Sequence, residues 1–308
     1  MRKAAFLIIL AAVFAVWGQD KPAQNQNDKA QTKKPPQEFL LGINLLEGGD
    51  ISGAIEMWEK TLEKDSTFAP AWFNMGTAYA MAHKDSQAVE CFKKAAQYDP
   101  TDPDPWIYMA QIYRQWKDFE NAAHAYEAAL DRNPQDTSLY NSLGIVYDQL
   151  QRYDDALNMF NQAIGMGSIY MSAWVNKLIV HNHAGQYDSV LFYKDKVLGI
   201  FADEPMSWVQ FAIAYHYTGR EDSALACVDS ALAIYSDFAV AHYYKGLILL
   251  ALKRYDDSLK EIARAIQLVP DYREIAEQDK ELEPIKNTRQ FREMLKNGGK
   301  LEGGSDGR

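Results

Sequence analysis

The sequence predicts an all-α fold built as a row of helix–turn–helix hairpins. Three observations predict it. Trp72, Gly76 and Tyr79 stand at i, i+4 and i+7, on one face of a helix, and Ala88, Phe92 and Ala95 repeat that spacing. Between the runs lies a polar break, His83-Lys84-Asp85-Ser86, where Asp85 or Ser86 is placed to cap the second helix. The pattern then returns at a period of 34 residues.

The place of Trp72 is filled by Trp106, Tyr140, Trp174, Trp208 and His242. That of Gly76 is filled by Gly42, Ala110, Gly144, Leu178, Ala212 and Gly246. That of Ala88 is filled by Ala54, Ala122, Ala156, Val190, Ala224 and Ser258. Small residues stand where two helices approach, and large ones fill the space beside them. Pro100, which ends the second helix, recurs as Pro134 and Pro270. These residues resemble the tetratricopeptide (TPR) repeat, a two-helix unit of 34 residues. The resemblance implies a right-handed TPR α-solenoid of about seven repeats plus a C-terminal capping helix. The units run without insertion over 35–68, 69–102, 103–136, 137–170, 171–204, 205–238 and 239–272.

Before the array, Arg2 and Lys3 precede the apolar run Ala4–Trp17. That run is too short to cross a bilayer of about 30 Å at roughly 1.5 Å per residue. A short apolar core behind a positive start is the pattern of a secretory signal peptide, residues 1–18, cut after Gly18. The expectation is export to a periplasmic or extracellular space, with membrane contact only transient. The alternative is an uncleaved N-terminal anchor. Residues 19–34 are rich in Gln, Asn and Lys and lack large apolar side chains, so they read as a disordered linker.

Within the array, the first unit is atypical, as an exposed end unit should be, with Glu38 at the tryptophan place. Residues 171–204 depart most. Leu178, Val190 and Val197 replace small residues, and Lys194 stands where an aromatic ring usually packs. Enlarged side chains at a tight contact cost about 1–3 kcal/mol each unless the helices move. A local change of curvature is therefore expected there, either a hinge or a fixed irregular packing. Residues 273–297 carry Ile275, Leu282, Ile285, Phe291 and Leu295 and read as the capping segment, interrupted by Pro284. Residues 298–308 read as a disordered tail.

The net charge of −10 opposes binding to a phosphate backbone, and no Lys/Arg cluster offsets it, so nucleic acid is not an expected partner. Cys91 and Cys227 lie four repeats apart, too far for a disulfide between stacked units, and read as small buried fillers. The repeats leave no stretch long enough for a separate catalytic domain. No nucleotide-binding loop or serine elbow is present. The expectation is a protein that is not an enzyme and holds no cofactor. His181 and His183 form an HxH pair with His216 in the next unit, but residues two apart on a helix diverge, so no metal site is expected. Asp154-Asp155 and Asp256-Asp257 suit the positive ends of second helices.

The resemblance also implies a concave face lined by first helices, where ligands lie. The candidate groove residues are Asn74, Tyr108, Arg114, Asn141, Asn176, Gln210, Tyr217 and Tyr244. Their amides both donate to and accept from a peptide backbone. The family subclass that clamps chaperone C-termini uses Lys and Arg at the fifth and sixth places of the unit, and this chain lacks those cations there. The reading is a scaffold that binds a peptide or protein segment in assembly of an envelope or secreted complex. Two alternatives stay open: a self-associating structural module, and an accessory subunit contacting polysaccharide or an enzyme.

Overall fold

The structure is a computed structural model, and it describes residues 35–167 and 170–301. The expected signal peptide, its cut, the linker 19–34 and residues 302–308 of the tail lie outside the described residues. The described residues are helical with no strand, and they fall into two compact units, 35–167 and 170–301.

The first unit is a row of four hairpins. These are α1 (Gln37–Glu47) with α2 (Ile51–Lys64), α3 (Ala69–Met81) with α4 (Asp85–Tyr98), α5 (Asp104–Gln115) with α6 (Phe119–Arg132), and α7 (Thr137–Gln149) with α8 (Tyr153–Met166). The second unit continues the pattern. It holds α9 (Met171–His183) with α10 (Tyr187–Phe192) and α11 (Lys194–Phe201), α12 (Pro205–Tyr217) with α13 (Glu221–Ile234), and α14 (Ala239–Ala251) with α15 (Tyr255–Leu268). Beyond these come α16 (Tyr272–Gln278), a 3-10 turn (Lys280–Leu282), α17 (Glu283–Lys286) and α18 (Arg289–Lys296).

Each hairpin closes on the same turn. A left-handed residue recurs at Gly49, His83, Lys117, Gln151, Gly185, Gly219 and Lys253, with φ between 56° and 85°. The next residue's N–H reaches back to the carbonyl five positions earlier, as in Lys84 to Tyr79 at 2.9 Å and Arg152 to Tyr147 at 2.8 Å. This pairing satisfies the last carbonyls of the first helix. It corrects the expected cap: Lys84, not Asp85 or Ser86, is the N-cap of α4, and Asp85 is its first residue. Asp50 and Asp118 hold the equivalent place before α2 and α6 and do cap, accepting from Gly53 and Asn121 N–H.

Small residues let each hairpin close. A Cβ on Gly76 would lie 2.8 Å from the Phe92 ring, and one on Gly144 2.7 Å from the Phe160 ring. Ala88, Ala122, Ala156 and Ala224 are fully buried. Cys91 and Cys227 are free and buried, and burial pushes the Cys91 thiol up to about 12, so it stays protonated at neutral pH.

At residues 171–204 the second helix is broken in two. Leu178, fully buried, stands at the place where Gly76 makes room for the Phe92 ring, and Lys194 stands at the place of that ring. The helix resets at Tyr193, whose N–H bonds the Val190 carbonyl three residues back at 3.2 Å. Tyr193 then covers α9, 5.7 Å from the Trp174 ring and 5.8 Å from His181, with Lys177 Nζ 4.0 Å from its centroid. Lys194 turns to the Tyr215 hydroxyl at 3.2 Å. Phe192, beside the break, is 79% exposed.

The C-terminal segment is also corrected. It is not one capping helix but three short helices and a 3-10 turn. Pro284 sits in the first turn of α17, where no N–H is needed. Helices α16 and α18 pack on α15, and the 3-10 turn packs on α14. Residues 298–301, expected in the disordered tail, are described and held: Gln267 Nε2 donates to the Gly299 carbonyl at 2.6 Å, and Gly299 is buried.

Candidate functional site

First helices α3, α5 and α7 place four of the candidate groove residues in the first unit. Phe73 and Tyr108 join α3 to α5, ring edge to ring face, at 5.3 Å. Tyr108 also stacks on Phe92 at 5.3 Å, so much of its ring is committed to packing. Burial, then the Asp104 charge, raises its hydroxyl pKa. Asn74 on α3 and Gln111 on α5 are half-buried. Neither amide side chain makes a hydrogen bond among the described residues. Arg114, one turn beyond Gln111, donates to the Tyr126 hydroxyl at 3.3 Å. Asn141 is buried and lies away from open surface.

In the second unit the candidates are largely engaged. Asn176 is half-buried. Gln210 is 4% exposed, and its side-chain oxygen accepts from Asn182 Nδ2 at 2.8 Å. Tyr244 is buried as well, and burial raises its pKa well above the usual phenol value. Sequence reasoning placed Asn141, Gln210 and Tyr244 in a groove; as folded, all three are covered. Tyr217 is half-buried and donates to Glu281 at 2.6 Å.

Glu281 organises a cluster that the repeat pattern does not contain. His216 Nδ1 lies 2.7 Å from Glu221 and its Nε2 lies 2.9 Å from Glu281. Only a doubly protonated ring offers two N–H donors to two carboxylates. Burial disfavours that charge, but the hydrogen bonds to Glu281 and Glu221 outweigh it, and the pKa of His216 is raised. Tyr243 donates to Asp279 at 2.6 Å. Tyr217, one of the expected groove residues, thus meets the chain's own C-terminal segment. The one signal of it in the sequence was the acid pair of Asp279-Lys280-Glu281 just before Leu282.

His181 is buried, stacked on Tyr193 and bonded to Gln186 at 2.7 Å, and burial lowers its pKa. Among the described residues no group of three side chains is placed to hold a metal ion. Among them, too, no helix is long and apolar enough to cross a membrane.

Two family models described as Tetratricopeptide repeat match the chain, one over 69–102 and the other over 109–168, 141–189 and 209–273. Together they span more than half of the 308 residues. The chain belongs to the tetratricopeptide repeat family. In general terms the TPR family is a protein–protein interaction scaffold and generally a non-catalytic one. A TPR protein from Parabacteroides merdae is 18% identical over 84% of this chain and 96% of its own, with a TM-score of 0.59. PilW, a type IV pilus biogenesis factor, is 20% identical over 70% of this chain and 97% of its own, with a TM-score of 0.54. YrrB, described as a TPR protein with an unusual peptide-binding site, is 19% identical over 60% of this chain and 95% of its own, with a TM-score of 0.51. At these identities the likeness is one of fold alone. Among curated proteins, none matches this sequence.

Proposed function

We propose that this TPR protein is an exported, non-catalytic scaffold that holds an extended protein segment along the first helices of its first unit. The observation that carries the reading is the pair of unspent amides, Asn74 and Gln111, on neighbouring first helices, with Arg114 beside them. Amides at this depth offer a peptide backbone both donors and acceptors, and the flanking rings offer apolar contact for alternate side chains. An envelope or secreted complex is the expected setting, because residues 1–18 have the pattern of a cleaved signal.

Peptides selected from a displayed random library against the full chain test the groove. They should lose at least tenfold in affinity on Asn74→Ala combined with Gln111→Ala. Selected peptides indifferent to both changes contradict the site. The compartment has its own check: protein recovered from its native cells should begin at Gln19, and a chain beginning at Met1 contradicts cleaved export.

A further inference from the structure

The C-terminal segment does more than cover the last hairpin. Ile275, Phe291 and Met294, on the two helices that pack against α15, are already buried. Asp279 and Glu281 reach further, to first-helix residues 36 to 65 positions earlier. Glu281 accepts from His216 through one oxygen and from the Tyr217 hydroxyl through the other. Asp279 accepts from the Tyr243 hydroxyl. Leu282 follows, fully buried on the same turn. Tyr187 stacks on Tyr217 at 5.1 Å and fixes that ring. The His216 ring and two phenol O–H groups therefore hold the two carboxylates of an Asp-x-Glu-Leu stretch whose leucine is buried beside them.

We propose that the His216–Tyr217–Tyr243 face is a binding site for an acidic peptide of this pattern. Residues 279–282 fill it in cis until a matching segment of a partner protein replaces them. Recognition rests on these local donors, because the chain's net charge of −10 repels an acidic ligand at long range. The site lies in the second unit and stands whether or not the first unit binds a segment. A tethered occupant competes at an effective concentration on the order of millimolar. A free peptide should therefore bind the intact chain weakly and bind tightly once the tethered copy is disabled.

The test uses a fluorescent peptide of residues 277–286, EQDKELEPIK, and anisotropy with the full chain. Asp279→Asn with Glu281→Gln should bind it at least tenfold more tightly than the unaltered chain. Adding His216→Ala should abolish binding, as should Asn and Gln at the two acidic places of the peptide. Absence of binding to the doubly altered chain, or binding indifferent to His216→Ala, overturns the proposal. Hydrogen exchange on the unaltered chain gives an answer even if the variant unfolds. Amides of 279–287 should open before those of α12 and α14, and equal protection overturns the proposal.

Discussion

Arg132 takes the carbonyl that the repeat offers to Trp106. At the equivalent place, Trp72 donates to Ser66 at 2.9 Å, Tyr140 to Pro134 at 3.2 Å and Trp208 to Ala202 at 2.8 Å, each six residues back. His242 has its Nε2 2.9 Å from the Ser236 carbonyl in the same way. The large residue at this place therefore pins the loop before its own helix. In the third repeat, residues 103–136, Arg132 Nε donates to Pro100 at 2.8 Å, its guanidinium lies 4.9 Å from the Trp106 ring centroid, and Trp106 Nε1 has no partner among the described residues.

Trp106→Phe should therefore be the mildest of the tryptophan changes. Trp72→Phe and Trp208→Phe lose a hydrogen bond as well as ring area, a difference of about 0.5–1.5 kcal/mol. Urea unfolding of the three variants checks this order. Equal losses would show that the pin contributes nothing.

The left-handed turns are filled by Gly at some hairpins and by His83, Lys117, Gln151 and Lys253 at others. A side chain in that conformation costs roughly 1–2 kcal/mol, part of which glycine returns through its freer unfolded chain. Gln151→Gly and Lys117→Gly should each stabilise by about 0.5–1 kcal/mol, and Gly185→Ala should destabilise by about as much. Thermal melts of the single variants decide it; a loss of stability in both glycine variants contradicts the reading.

His216 makes the second unit sensitive to pH. The groups facing it are Glu221 on α13, Glu281 on the 3-10 turn and the neighbouring Tyr217 ring. Its folded pKa is raised. Its contribution is therefore complete below the unfolded value of about 6.5 and is lost as pH rises through the folded value. Melting temperature measured from pH 6 to 8.5 should fall more steeply for the unaltered chain than for His216→Asn. Parallel profiles would remove His216 from the account.

The hairpins were legible because glycine, alanine and aromatic residues recur at one period, and second helices begin at Ile51, Asp85, Phe119, Tyr153, Tyr187, Glu221 and Tyr255. The break at Tyr193 was only half legible. Leu178, Val190 and Val197 announced a disturbed contact, but not that the helix would reset by a single residue. The burial of Gln210 and Tyr244 was not legible, because it depends on pairing between repeats within the second unit, as where Asn182 bonds Gln210. The Glu281 contact was least legible of all. It joins residues 64 and 65 apart, outside the repeat, and no periodicity carries such a pairing.

The central claim is that first helices of the first unit hold a partner segment. A photo-crosslinking residue at Asn74 or Gln111, compared with one at exposed Glu90 on α4, tests it most directly in the native cells. The account predicts a discrete adduct from Asn74 and Gln111 and none from Glu90. Adducts from Glu90 alone, or the same adducts from all three places, would contradict it.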